Sequence, residues 1–176
     1  MMTFNKHMLS AGLIGGLILS PAILANEFSV HLLNPAWDGQ TVPKGEQCQK
    51  FGGNGPKTPS LSVKGIPEGA NLLVMEFSDR TYKKMDNGGH GKIGFALSKP
   101  INSAVVPSVA GHSFTLPTGF FMVAAHRSPK WDKAGAYMPP CSGGKGNAYY
   151  VTVKAVKQSS DSSEVLSQQV VEMGRY

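Results

Sequence analysis

Asn71-Leu72-Leu73-Val74-Met75-Glu76-Phe77-Ser78-Asp79 is followed, beyond a polar loop, by His90-Gly91-Lys92-Ile93-Gly94-Phe95-Ala96-Leu97. Residues 71–77 and 92–97 read as two strands, with Asp79 just past the first and His90 just before the second. If the strands pair as an antiparallel hairpin, acid and imidazole meet at one rim of a sheet. Leu72 to Met75 is apolar on both faces, as in a central strand covered on both sides. Side chains then alternate, so Phe77 and Asp79 share one face while Glu76 and Ser78 share the other, which makes Glu76 and Asp79 a poor catalytic carboxylate pair. In the connection, Asn87-Gly88-Gly89 suits positive φ angles. Gly89 and Gly91 flank His90 and leave amides unshielded by side chains, a setting for an anion, although the same glycines serve a bare turn equally well.

Elsewhere, period-two alternation predicts strands over 28–32 and 149–157, the latter being the clearest, and further short strands are read over 61–63, 112–116 and 119–125, the last two joined by a turn at Pro117-Thr118-Gly119. The stretches 34–59 and 128–146 are rich in Gly, Pro and Lys and read as long loops. Asp161 and Glu164 resemble a capping box, and Leu166, Val170 and Met173 fall on one helical face before Gly174, so the chain is expected to end in an amphipathic helix. His31 is read as a surface residue, and His112 and His126 as structural histidines. Trp131 either lines a pocket or caps the core. The run Cys141-Ser142-Gly143-Gly144-Lys145-Gly146-Asn147 lacks the order of a phosphate-binding P-loop and leads into a strand, which disfavours nucleotide hydrolysis.

Residues 1–25 have the parts of a secretory signal: Lys6 and His7, an apolar run from Met8 to Leu19, and small residues around Ala25. Three glycines, Ser10 and Pro21 interrupt a run too short for the roughly 20 residues a membrane-spanning helix needs, which favours cleavage over anchoring. Residues 26–176 are then expected to form a single domain, periplasmic or secreted. Beyond Lys6, sixteen Lys and Arg face eleven Asp and Glu, scattered along the chain. With no basic cluster and no RNA-binding motif, nucleic acid is not an expected partner, whereas anionic ligands are favoured. Export carries Cys48 and Cys141 to an oxidising compartment, where a disulfide is expected. Two buried free thiols fit less well in Gly- and Pro-rich loops, and neither cysteine has a neighbour at metal-ligand spacing.

Taken together, Gly53-Asn54-Gly55-Pro56-Lys57-Thr58-Pro59-Ser60-Leu61-Ser62-Val63 and Ile66-Pro67-Glu68-Gly69 resemble the Asn-x-Ser-Pro-x-Leu-x-Trp segment and Val-Pro-x-Gly turn of the phosphatidylethanolamine-binding protein family, which includes the Raf kinase inhibitor-like proteins. Cys48 and Cys141 match the places where exported bacterial members carry a cysteine pair. The resemblance implies a mainly β fold, a β-sandwich with a large central sheet, long Gly/Pro-rich loops and the C-terminal helix. It also implies a small pocket for phosphate-like groups. The family's pocket motif, Asp-Pro-Asp-x-Pro, becomes Phe77-Ser78-Asp79-Arg80-Thr81 here, keeping only the second Asp. His90 matches the first pocket histidine, Tyr137, Pro139 and Pro140 the Gly/Pro loop, and Asn147 stands at the second histidine. A binding set of Asp79, His90, Gly89, Gly91, Tyr137, Pro139, Pro140 and Asn147 follows, with the His90 charge favoured by Asp79.

The first functional expectation is therefore an exported, non-catalytic binding protein for a small anion or a phospholipid head group, with no cofactor, metal or transmembrane segment. The second is a protein-interaction or inhibitor module using the long loops. A hydrolase ranks third, because no Gly-x-Ser-x-Gly elbow accompanies the Asp and His.

Overall fold

The computed structural model describes residues 27–176, so the leader read over residues 1–25 lies outside the described residues. Eight strands follow in order: β1 (Ser29–Leu32), β2 (Leu61–Lys64), β3 (Leu72–Asp79), β4 (Gly91–Ala96), β5 (Ser103–Val106), β6 (Phe120–Ala124), β7 (Ala148–Gln158) and β8 (Ser163–Arg175). They form two antiparallel sheets, a five-stranded one ordered β6-β4-β3-β7-β8 and a three-stranded one ordered β1-β2-β5. The large sheet has β3 at its centre, where Leu73 and Met75 face the core and Leu72 is also buried.

One face of each sheet makes the core. Val30, Leu61 and Val63 of the small sheet join Leu73, Met75, Phe77, Ile93, Val151 and Val153 of the large one in a single buried cluster. On the outer face, Glu76 bonds Lys92 at 2.9 Å and Lys154 at 3.0 Å across neighbouring strands. Burial pulls the Glu76 carboxyl upward, but these two ammonium partners win and hold it below its ordinary range. Glu76 is thus a sheet fastener, on the face opposite Asp79.

The expected C-terminal helix is replaced by β8, a long strand paired with β7 along its length. Asp161 and Glu164 belong to the hairpin turn and the start of the strand, where the Ser159 amide donates to the Ser162 carbonyl at 2.9 Å. The register of β8 shifts at two places, leaving Leu166 and Met173 without partners on β7. Each extra residue resets the period of two. With these resets Leu166 and Met173 both reach the core while Val170 between them stays exposed, and Val165, Val170 and Val171 carry the β-branched preference for a strand. Gly174 does not stop a helix: its φ is 110°, and a Cβ there would lie 2.6 Å from the Thr41 backbone, which pairs with Arg175.

Residues 112–116 are also not a strand. His112 has a left-handed φ of 56° and sits in a turn, its Nδ1 bonding the Lys133 carbonyl and its Nε2 facing Asp132 at 3.3 Å. A short strand that carried no clear alternation, β5, pairs with β2 instead. Among the described residues no helix is long and apolar enough to cross a membrane.

Candidate functional site

Three strand ends meet at one rim of the large sheet. On β3, Leu73, Met75 and Phe77 face the core, and Asp79 continues that face as the last residue of the strand. Antiparallel pairing puts Tyr149, near the start of β7, directly opposite Asp79, and Gly91 of β4 opposite Phe77. His90, one residue before β4, donates its backbone N–H to the Phe77 carbonyl at 2.9 Å. Asp79, His90 and Tyr149 are all buried and all line one open cavity of about 400 Å³.

Loops complete the wall. Asn147, at the foot of β7, donates from Nδ2 to Asp79 Oδ2 at 2.6 Å, while Asp79 Oδ1 accepts the Thr81 and Tyr82 amides at 2.9 and 3.1 Å. Met85, Met138 and Cys141 give the cavity a sulfur-rich side, and Tyr82, Trp131 and Lys145 surround its mouth. Cys141 is bonded to Cys48, with Cα atoms 5.2 Å apart, which ties the 128–146 loop to the loop before β2. Trp131 is pinned by its indole N–H on the Cys141 carbonyl and by the Lys50 ammonium 3.6 Å above its ring.

His90 has one ring nitrogen committed. Nδ1 lies 2.7 Å from the Met138 carbonyl, so Nδ1–H donates and Nε2 keeps a lone pair. Burial pushes the imidazole down to about 4, and the opposing pulls of the Met138 carbonyl and the Asp79 charge do not offset it. The expected Asp79-favoured imidazolium is therefore replaced by a neutral ring. Tyr149 packs edge-on to it with ring centroids 5.3 Å apart, and burial pushes the phenol up to about 12. The cavity floor thus holds one carboxylate, one neutral imidazole and one neutral phenol.

The remaining sequence-predicted residues lie off the open cavity. The Gly89 amide donates to Asp86 and the Gly91 amide to Gly88, so neither is free for an anion. Gly91 is required by packing: with φ at 119°, a Cβ would fall 2.0 Å from the Ala136 carbonyl oxygen. Tyr137 and Pro140 sit behind His90, where Tyr137 packs on Phe77 with ring centroids 4.7 Å apart and its buried hydroxyl has no partner among the described residues. Pro139 packs beside Gly111. Phe77, at the family's first acidic position, is a core residue. Of the predicted set, Asp79, His90 and Asn147 come together. Ser142 and Lys145 belong to the glycine-rich run before Asn147, whereas Met85, Met138 and Tyr149 line the cavity without a motif of their own; only Tyr149, as an inward position of the clearest strand, carries a periodic signal.

The fold has a counterpart among solved structures. The chain matches the crystal structure of E. coli YbcL, described as a new member of the mammalian PEBP family, with a TM-score of 0.56 over 85% of this chain and 98% of that one, at 20% identity. The two share a fold. A phosphatidylethanolamine-binding protein homologue of Chlamydia trachomatis also matches, with a TM-score of 0.48 and 19% identity over 84% of this chain and 97% of that one. No protein-family model matches the chain, and no curated protein matches it. At this identity the likeness to YbcL speaks for the PEBP fold alone.

Proposed function

We propose that this chain is an exported, non-catalytic binding protein whose cavity takes a small ligand bearing a phosphate-like anion, held at the mouth by the Ser142–Lys145 loop. One observation carries the reading. The amides of Gly143, Gly144 and Lys145 make no hydrogen bond among the described residues, and the exposed Lys145 ammonium on the cavity wall makes no ion pair there. Gly143 and Gly144 both have positive φ, 71° and 77°, and without side chains they leave these amides open to an approaching ligand. The anion then belongs at the rim, because the floor carries the Asp79 carboxylate and an uncharged His90.

The disulfide supports export. Support for a non-catalytic role comes from the hydrogen bonds: Ser78 Oγ is spent on the Gly88 amide and the Glu76 carbonyl, and no hydroxyl or thiol bonds the His90 ring among the described residues. Titration of the protein with inorganic phosphate, phosphoethanolamine and short anionic lipids tests the reading. Binding is expected to weaken with Lys145→Ala and to show amide shifts at Gly143 and Gly144. No saturable binding at millimolar ligand, or ester hydrolysis abolished by His90→Ala, would overturn it.

A further inference from the structure

The chain carries two Asn-Gly dipeptides, Asn54-Gly55 and Asn87-Gly88, and both asparagines are exposed. In such a pair the glycine backbone nitrogen can attack the carboxamide carbon of the asparagine, because glycine has no Cβ to shield the approach. With both asparagines exposed, the state of the glycine nitrogen separates the two places.

At Asn87 that nitrogen is held. Gly88 is buried, its amide donates to Ser78 Oγ of β3 at 2.8 Å, and a Cβ on it would fall 2.4 Å from Lys92 Cε. The flanking peptide is clamped as well: the Asn87 amide donates to Asp86 Oδ1 at 2.9 Å, and the Asn87 carbonyl accepts from the Arg127 guanidinium at 2.9 Å. Attack there has to break a buried hydrogen bond first. At Asn54 the chain is anchored on either side of the glycine. The Asn54 amide donates to the Gly45 carbonyl at 3.0 Å, and the Pro56 carbonyl accepts the Gly111 amide at 2.8 Å. Gly55 between them is exposed, its amide makes no hydrogen bond among the described residues, and a Cβ on it would meet nothing within 4 Å.

We propose that Asn54 is a site of spontaneous deamidation in the folded protein, whereas Asn87, in the same dipeptide, is protected by the Ser78–Gly88 hydrogen bond. The Gly55 nitrogen gives its proton to solvent base and bonds to Asn54 Cγ, the Cγ–Nδ2 bond breaks, and ammonia leaves. Water then opens the cyclic imide at either of its carbonyls, giving aspartate or isoaspartate. The loop between Cys48 and β2 thereby gains a negative charge, and in the isoaspartate form its backbone gains a methylene. Neither Asn54 nor Gly55 lines the cavity, so the modification does not depend on the proposed ligand.

The test is peptide mapping by mass spectrometry of the whole protein, incubated at mildly alkaline pH either native or unfolded in guanidinium chloride with the disulfide intact. In the native protein Asn87 is expected to deamidate at least about tenfold more slowly than Asn54, the factor set by a buried hydrogen bond that must break first. In the unfolded chain the two rates are expected to converge. Ser78→Ala, which takes away the acceptor of the Gly88 amide, is expected to speed Asn87 and leave Asn54 unchanged. If that variant fails to fold, the native and unfolded rates of wild type still decide. Equal native rates at the two asparagines would overturn the proposal. An Asn87 that stays slow in the unfolded chain, or is no faster in folded Ser78→Ala, would overturn the protection assigned to the Ser78–Gly88 bond.

Discussion

Acidification is the perturbation that addresses the buried imidazole most directly. His90 is held neutral by burial, its affinity for a proton lowered from the ordinary 6.5 to about 4. In the unfolded chain the ring regains its ordinary affinity, so between these two values the unfolded state binds more protons than the native one. The sign follows: His90 costs nothing above pH 6.5, and stability falls as the pH drops from there toward 4. A difference of that size is worth about 3 kcal/mol once the pH is below both values, and about 2 kcal/mol at pH 5. Urea unfolding of wild type and His90→Asn at pH 7.5 and pH 5 isolates the contribution. Asn keeps an N–H placed to bond the Met138 carbonyl but does not titrate. Wild type is expected to lose about 2 kcal/mol more than the variant between the two conditions. His126, also lowered by burial, is common to both proteins and cancels. The ring should also remain the Nδ1–H tautomer in 15N spectra down to about pH 5. Half-protonation of His90 above pH 6, or equal acid sensitivity in the two proteins, would show that burial does not hold the ring neutral.

Two further outcomes follow from the walls of the cavity. Replacing both Cys48 and Cys141 by Ser opens a loop spanning 93 positions, for which chain entropy gives about 4 to 5 kcal/mol of lost stability. Urea unfolding should show this as a midpoint about 2 M lower, and a fall of less than about 0.5 M would show that the bridge adds little to the native state. Gly91→Ala drives a Cβ to 2.0 Å from the Ala136 carbonyl at a positive φ, so a loss of more than about 2 kcal/mol is expected. Thermal melting of that variant within about 2 °C of wild type would show that β4 and the 128–146 loop separate easily there.

The legible part of the fold lies in the short-range pattern of the chain. The apolar run in residues 71–77 and the alternation in 149–157 identified β3 and β7, and placing Asp79 and His90 at facing strand ends put them at one rim, because antiparallel pairing leaves little choice. The pairing partner of Cys48 followed from having only one other cysteine. Three things needed the tertiary structure. The C-terminal strand was hidden because two bulges, at Leu166 and Met173, break the period of two, and local spacing cannot reveal a partner strand. The charge of His90 was misjudged because a neighbouring Asp is visible in sequence while enclosure is not, and enclosure outweighs it. The sides of the cavity, Met138, Trp131 and Lys145 among them, come from loops without periodicity, and only the disulfide and the packing of those loops against the sheet rim bring them to Asp79 and His90.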